Sequence, residues 1–136
     1  MRNLFLLATI LLALIHGCRS DQPIGPPDLL YRQWHLLRTR EVTNSDWRYW
    51  DTDTFYTVEY RADGILVYQR DGVLTQAGCC RPTKFNRQGD VLNYTDWQLC
   101  ANAFCATIKR ATITQLTETQ LELTDGYTVS QYEAAN

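Results

Sequence analysis

Short alternations of apolar and polar residues, each ended by a turn-forming residue, recur from Leu30 to Tyr132, and no run carries a helical stripe long enough to bury one face. Successive side chains on a strand point to opposite faces, so this period of two sorts residues into an inner and an outer set and points to a half-buried sheet. Thr54 to Arg61 is the clearest instance, with Tyr56, Val58 and Tyr60 on one parity and Phe55, Thr57 and Glu59 on the other. Ala62-Asp63-Gly64 supplies a turn in which glycine accepts a positive φ, and Ile65 to Arg70 returns as the partner strand. Leu30 to Val42, Val73 to Cys80, Thr83 to Asn86, Val91 to Cys100, Phe104 to Leu116, Leu121 to Thr124 and Tyr127 to Tyr132 read as further extended segments. About eight strands at this spacing, with almost no helix, predict an all-β fold, an antiparallel sandwich or barrel.

The N-terminus obeys a different rule. After Met1-Arg2-Asn3 comes an apolar run from Leu4 to Ile15 broken only by Thr9, and then His16-Gly17-Cys18. A charged start, a short apolar stretch and a small residue before a cut describe an export signal; the stretch is shorter than the roughly 20 apolar residues that span a bilayer. Ile15-His16-Gly17-Cys18 resembles the bacterial lipobox, with His16 where that pattern carries a small residue. The resemblance implies cleavage of residues 1–17 and acylation of Cys18, which becomes a lipid anchor in the membrane. Arg19, rather than Asp, after that cysteine favours the outer membrane under the same rule. Residues 18–29 carry three prolines and a glycine with no apolar period and read as a tether of roughly 30 Å in extended polyproline geometry. Residues 30–136 are left as the domain, of a size that holds one core.

The chain has five cysteines, and setting Cys18 aside leaves an even set: Cys79, Cys80, Cys100 and Cys105. Export places them where disulfides persist. A bridge between the neighbours Cys79 and Cys80 would close a strained eight-membered ring. Two pairings remain, Cys79 with Cys100 and Cys80 with Cys105, or the exchanged set. The spacing does not match the usual zinc patterns or a Cys-x-x-Cys redox motif, and structural disulfides are the expectation, with no metal and no cofactor.

Tyr31-Arg32-Gln33-Trp34-His35-Leu36 resembles the tryptophan-bearing first strand of small bacterial lipocalin-like (calycin-type) lipoproteins. The Tyr60 to Gly64 hairpin, the Ile113 to Leu123 pair and the closing Tyr127 to Tyr132 strand are similar to the same group. True lipocalins carry glycine two residues before that tryptophan, where this chain has Arg32. The resemblance implies an up-and-down barrel of about eight strands and a small apolar ligand, and it transfers no binding residue.

Candidate functional residues follow from side-chain chemistry. His35 is the one histidine after residue 17, it lies mid-strand, and no nucleophile stands near it in sequence, so the common hydrolytic arrangements find no base and an enzyme is not expected. Asp51, Asp53, Glu59 and Asp96 are acids without the paired or calcium-loop register that chemistry would need. With 13 Lys and Arg against 15 Asp and Glu and no block of like charge, nothing attracts nucleic acid. Trp34, Trp47 and Trp50 are expected at barrel ends, covering core. Tyr56, Tyr60, Tyr68, Tyr94 and Trp97 are candidates to line a cavity for a small apolar or amphipathic ligand, although an eight-stranded barrel is narrow enough for such large residues to fill it. The rival expectation is a solid-packed scaffold or interaction module docking an envelope protein.

Overall fold

The computed structural model describes residues 24–50 and 56–135; the expected signal segment, Cys18 and the acids Asp51 and Asp53 lie outside them. The alternating runs become β1 (Gln33–Glu41), β2 (Arg48–Tyr49), β3 (Tyr56–Tyr60), β4 (Leu66–Arg70), β5 (Val73–Thr75), β6 (Arg81–Gln88), β7 (Val91–Gln98), β8 (Arg110–Leu116), β9 (Gln120–Thr124) and β10 (Thr128–Ala134). All pair antiparallel in one ten-stranded sheet, ordered β5-β4-β3-β1-β10-β9-β8-β7-β6, with β2 set against β1. The all-β antiparallel expectation holds.

The closed eight-stranded barrel does not: the sheet has ten strands and stays open between β4 and β6. The outer edge of β4 is occupied by β5, in register Tyr68↔Thr75 to Arg70↔Val73, so the edge that closure would need is already paired. On the other side β6 contains Pro82, which has no amide hydrogen to donate, and its pairing with β7 shifts register at Pro82/Lys84 and again at Lys84/Phe85. What spans the gap is one bridge between Ile65 and Lys84, a hydrogen bond from the Phe85 amide to the Gly64 carbonyl (2.8 Å), and side chains. The Tyr68 hydroxyl donates to the Pro82 carbonyl at 2.7 Å, and the Tyr60 and Phe85 rings meet edge to face at 5.1 Å. Gly64, at φ +82°, makes this approach possible, because a Cβ there would lie 2.8 Å from the Phe85 carbonyl oxygen.

One end of the sheet is floored by residues from the proline-rich segment. Pro27–Leu30 forms a single helical turn, α1, with Pro27 at its first position, where the missing amide hydrogen has no intrahelical partner to lose. Leu30 is fully buried, as are Trp34, Leu92, Ile113 and Leu121, and each such aliphatic side chain stabilises the fold by about 1.5–3 kcal/mol. The Trp34 indole donates to the Leu30 carbonyl at 3.0 Å, tying α1 to β1. The Ile24 amide donates to the Asp90 carboxylate, the Arg87 guanidinium reaches the Ile24 and Pro27 carbonyls (both 3.3 Å), and Gly25 sits against Leu116 so closely that a Cβ would meet its carbonyl oxygen at 2.8 Å. Residues 24–29, the domain end of the expected tether, therefore lie on the β6–β7 and β8–β9 turns.

Candidate functional site

The inner faces of the strands enclose a cavity of about 380 Å³. Its floor is Trp34 and Tyr60; its walls are Tyr56 and Val58 on β3, Tyr68 on β4, Tyr94 and Trp97 on β7, Leu36 on β1, and Ser130 and Tyr132 on β10. All five residues expected to line a cavity, Tyr56, Tyr60, Tyr68, Tyr94 and Trp97, are brought together there. Parity puts Tyr56, Val58 and Tyr60 on one face, and the pairings Val58↔Tyr68 and Trp34↔Val58 carry that face onto the neighbouring strands.

The wall is aromatic but not inert. Tyr60 and Tyr94 share a hydrogen bond between their hydroxyls at 3.2 Å, and Tyr94 meets Trp97 edge to face at 6.0 Å. Burial pushes the phenols of Tyr60, Tyr68, Tyr94 and Tyr132 above the ordinary tyrosine value, because an ionised ring would lose its hydration. For Tyr68 and Tyr132 the Arg81 cation pulls the other way. A lining of large apolar surface interrupted by a few hydroxyls is the usual composition of a small-molecule site, and the volume lies within the usual span of about 300–1,000 Å³.

The mouth lies opposite α1, where β6, β8 and β10 begin and β7 and β9 end. Two disulfides stand there, Cys79–Cys100 and Cys80–Cys105. They tie the residues before β6 to the strand-free segment 99–109, and Cys79, Cys80, Arg81, Ala106 and Ile108 all line the cavity. Of the exposed large apolar residues, Val42, Tyr49, Trp50, Val73, Leu74, Leu99, Phe104, Ile108 and Tyr127 belong to the mouth half, whereas Ile24 and Ile65 belong to the floor end. Phe104, in the disulfide-tied segment, is 98% exposed.

The other sequence candidates lie elsewhere. Trp34 is at the floor, with the Arg32 guanidinium 5.8 Å from its ring centre while Arg32 also donates to the Glu118 carbonyl at 2.6 Å. Trp47 is half-buried beneath the guanidinium groups of Arg38 (4.3 Å) and Arg40 (5.1 Å). Arg38 in turn donates to the buried Gln131 side chain at 2.6 Å and to the Tyr49 hydroxyl at 2.9 Å, so Trp47 caps a polar ladder rather than the cavity. Trp50 is exposed and donates to the Thr39 hydroxyl at 3.1 Å. His35 lies 3.3 Å from the Glu133 carboxylate, its cross-strand register partner. Asp96 faces Lys84 at 3.5 Å, and its carboxyl is held below the usual range, first by the Trp97 amide. Among the described residues no three His, Cys, Asp or Glu side chains converge to hold a metal.

Sequence reading did not single out Tyr132, Ser130, Leu36, Arg81 or Asp125, all of which line the cavity. Tyr132 and Ser130 share the parity of Thr128 on the last strand, a signal present in the sequence; their meeting with Leu36 depends on register. Comparison of the chain with protein-family models, with curated proteins and with solved structures finds no significant match.

Proposed function

We propose that this chain is an exported, lipid-anchored lipoprotein that holds a small apolar or amphipathic ligand within an incompletely closed, lipocalin-like barrel. The observation that carries the reading is the cavity of about 380 Å³ into which Tyr56, Tyr60, Tyr68, Tyr94, Trp97 and Tyr132 all face. Among the described residues that line it no nucleophile has a general base beside it, and binding rather than turnover is the proposed role. The apolar side chains gathered at the mouth favour a ligand delivered from a lipid surface or from an envelope protein partner, because exposed apolar groups concentrated in one region mark interaction sites.

Titration of the oxidised full chain with N-phenyl-1-naphthylamine, a neutral apolar fluorophore, tests the cavity. Saturable binding is expected, weakened at least tenfold by Ser130→Leu, which places bulk in the wall. Absence of binding, or binding that Ser130→Leu leaves untouched, would favour the solid scaffold. The anchor is tested separately by Cys18→Ala, which releases the protein from the membrane fraction; continued partition with membranes contradicts lipidation.

A further inference from the structure

We propose that Arg81 selects the head group of the bound molecule, so that the ligand is a single-chain amphiphile with an anionic head, its tail between the cavity tyrosines and its head at the mouth. This rests on the cavity being a ligand site. Arg81 is the one Lys or Arg among the described residues that line it. Its backbone is held firmly: the Arg81 amide donates to the Gly78 carbonyl at 3.1 Å, the Cys80 amide donates to the Gln98 carbonyl at 2.8 Å, and Cys80 is bridged to Cys105.

The guanidinium itself has no hydrogen bond or ion pair to any described residue; the same holds for Arg70 and Arg110, but of these three only Arg81 lines the cavity, while Arg38, Arg61 and Arg87 are engaged. Arg81 is itself exposed, at the rim of the apolar interior where β6 begins, and its charge reaches the hydroxyls of Tyr68 on β4 and Tyr132 on β10, opposing the effect of their burial. The Tyr68 hydroxyl spends its proton on the Pro82 carbonyl at 2.7 Å and leaves the guanidinium donors free.

Asp125 is the only carboxylate among the described residues that line the cavity, and it is already engaged. One of its oxygens accepts from the Tyr127 and Thr128 amides at 2.8 and 2.7 Å, holding the β9–β10 turn. The lining therefore carries one cation and one carboxylate, and selection rests on hydrogen bonding: the Arg81 donors are free, whereas that Asp125 oxygen is taken, which favours an incoming carboxylate over an incoming ammonium. A charge-assisted pair at an exposed rim separates an acid from its neutral ester by about two- to fivefold.

The test is displacement of N-phenyl-1-naphthylamine from the oxidised full chain near neutral pH by dodecanoic acid, methyl dodecanoate and dodecylamine. The acid should compete about two- to fivefold better than the ester, and the amine no better than the ester. Arg81→Gln should abolish the preference by weakening the acid alone, Arg81→Lys should keep part of it, and unchanged ester binding shows that the cavity is intact. Equal competition by acid and ester, a preference that survives Arg81→Gln, or tightest binding by the amine would each overturn the assignment while leaving a ligand cavity in place. If neither the fluorophore nor any of the three binds, the cavity reading fails and the head-group assignment with it.

Discussion

The two disulfides share a hinge, and their contributions to stability should therefore not add. Cys79–Cys100 and Cys80–Cys105 span 21 and 25 residues of chain. Taken alone, each would remove loop entropy from the unfolded chain corresponding to about 3.3 and 3.5 kcal/mol at 25 °C by the loop-length relation. Once one bridge exists, however, Cys79 and Cys80 are neighbours and Cys100 and Cys105 are five residues apart in sequence. The second bridge then closes a ring of only about seven residues and contributes about 2.4 kcal/mol. Replacing either pair by alanine should lower the unfolding free energy by about 2.4 kcal/mol, whereas replacing both should lower it by about 5.8, roughly 1 kcal/mol more than the two single losses together. Denaturant unfolding of the three variants under non-oxidising-exchange conditions measures this, since additivity failures of that size exceed the usual scatter of about 0.3–0.5 kcal/mol. Losses that add within error would refute the shared-hinge argument, and so would either pair alone costing as much as both.

Two glycines separate backbone strain from close approach. Gly64 and Gly89 both have positive φ, but only Gly64 would place a Cβ 2.8 Å from a carbonyl oxygen, so Gly89→Ala should cost about 1 kcal/mol and Gly64→Ala at least twice that, read from unfolding midpoints. Trp34→Phe removes one of two donors to the Leu30 carbonyl, which keeps the Arg32 amide at 2.9 Å, a loss of about 0.5–1.5 kcal/mol before any packing change, and it should loosen the 24–30 segment to proteolysis. The phenols of Tyr60, Tyr68, Tyr94 and Tyr132 have folded pKa values above the unfolded value near 10, so the neutral forms favour the fold. Their contribution is intact below about pH 10 and falls as pH rises further, by up to about 1.4 kcal/mol per pH unit for each phenol. In a spectrophotometric titration these four should ionise only with unfolding; their ionisation in the still-folded protein would contradict their burial.

The period-two pattern made the cavity wall legible because β3 and β4 are regular. Tyr56, Tyr60 and Tyr68 could be assigned to one face from parity alone, and the register agrees. Where strands are irregular the pattern loses its force. Tyr94 and Trp97 have opposite parity yet both line the cavity, because the β6–β7 ladder slips twice around Lys84. Phe104 to Leu116 reads as one strand, but the ladder starts only at Arg110, since Cys105 is held by Cys80 at the mouth and residues 100–109 run outside the sheet. Barrel closure was not legible at all: alternation identifies strands without saying which edges meet, and here β5 takes the edge of β4 that a closed ring would use. The choice between the two disulfide pairings likewise required the geometry of the mouth. Arg81 escaped notice because it directly follows two cysteines at a strand start, where parity is undefined.

Whether the cavity carries a ligand is read by native mass spectrometry of the oxidised chain purified from its own host, set beside the same sample denatured. Additional mass, in the range of a small amphiphile and lost on denaturation, is expected. The polypeptide left behind should be four hydrogens lighter than its reduced form, as two bridges require. A bare mass in both states, with the bridges formed and the cavity still refusing an apolar probe, would contradict a ligand-binding role and leave an interaction module in its place.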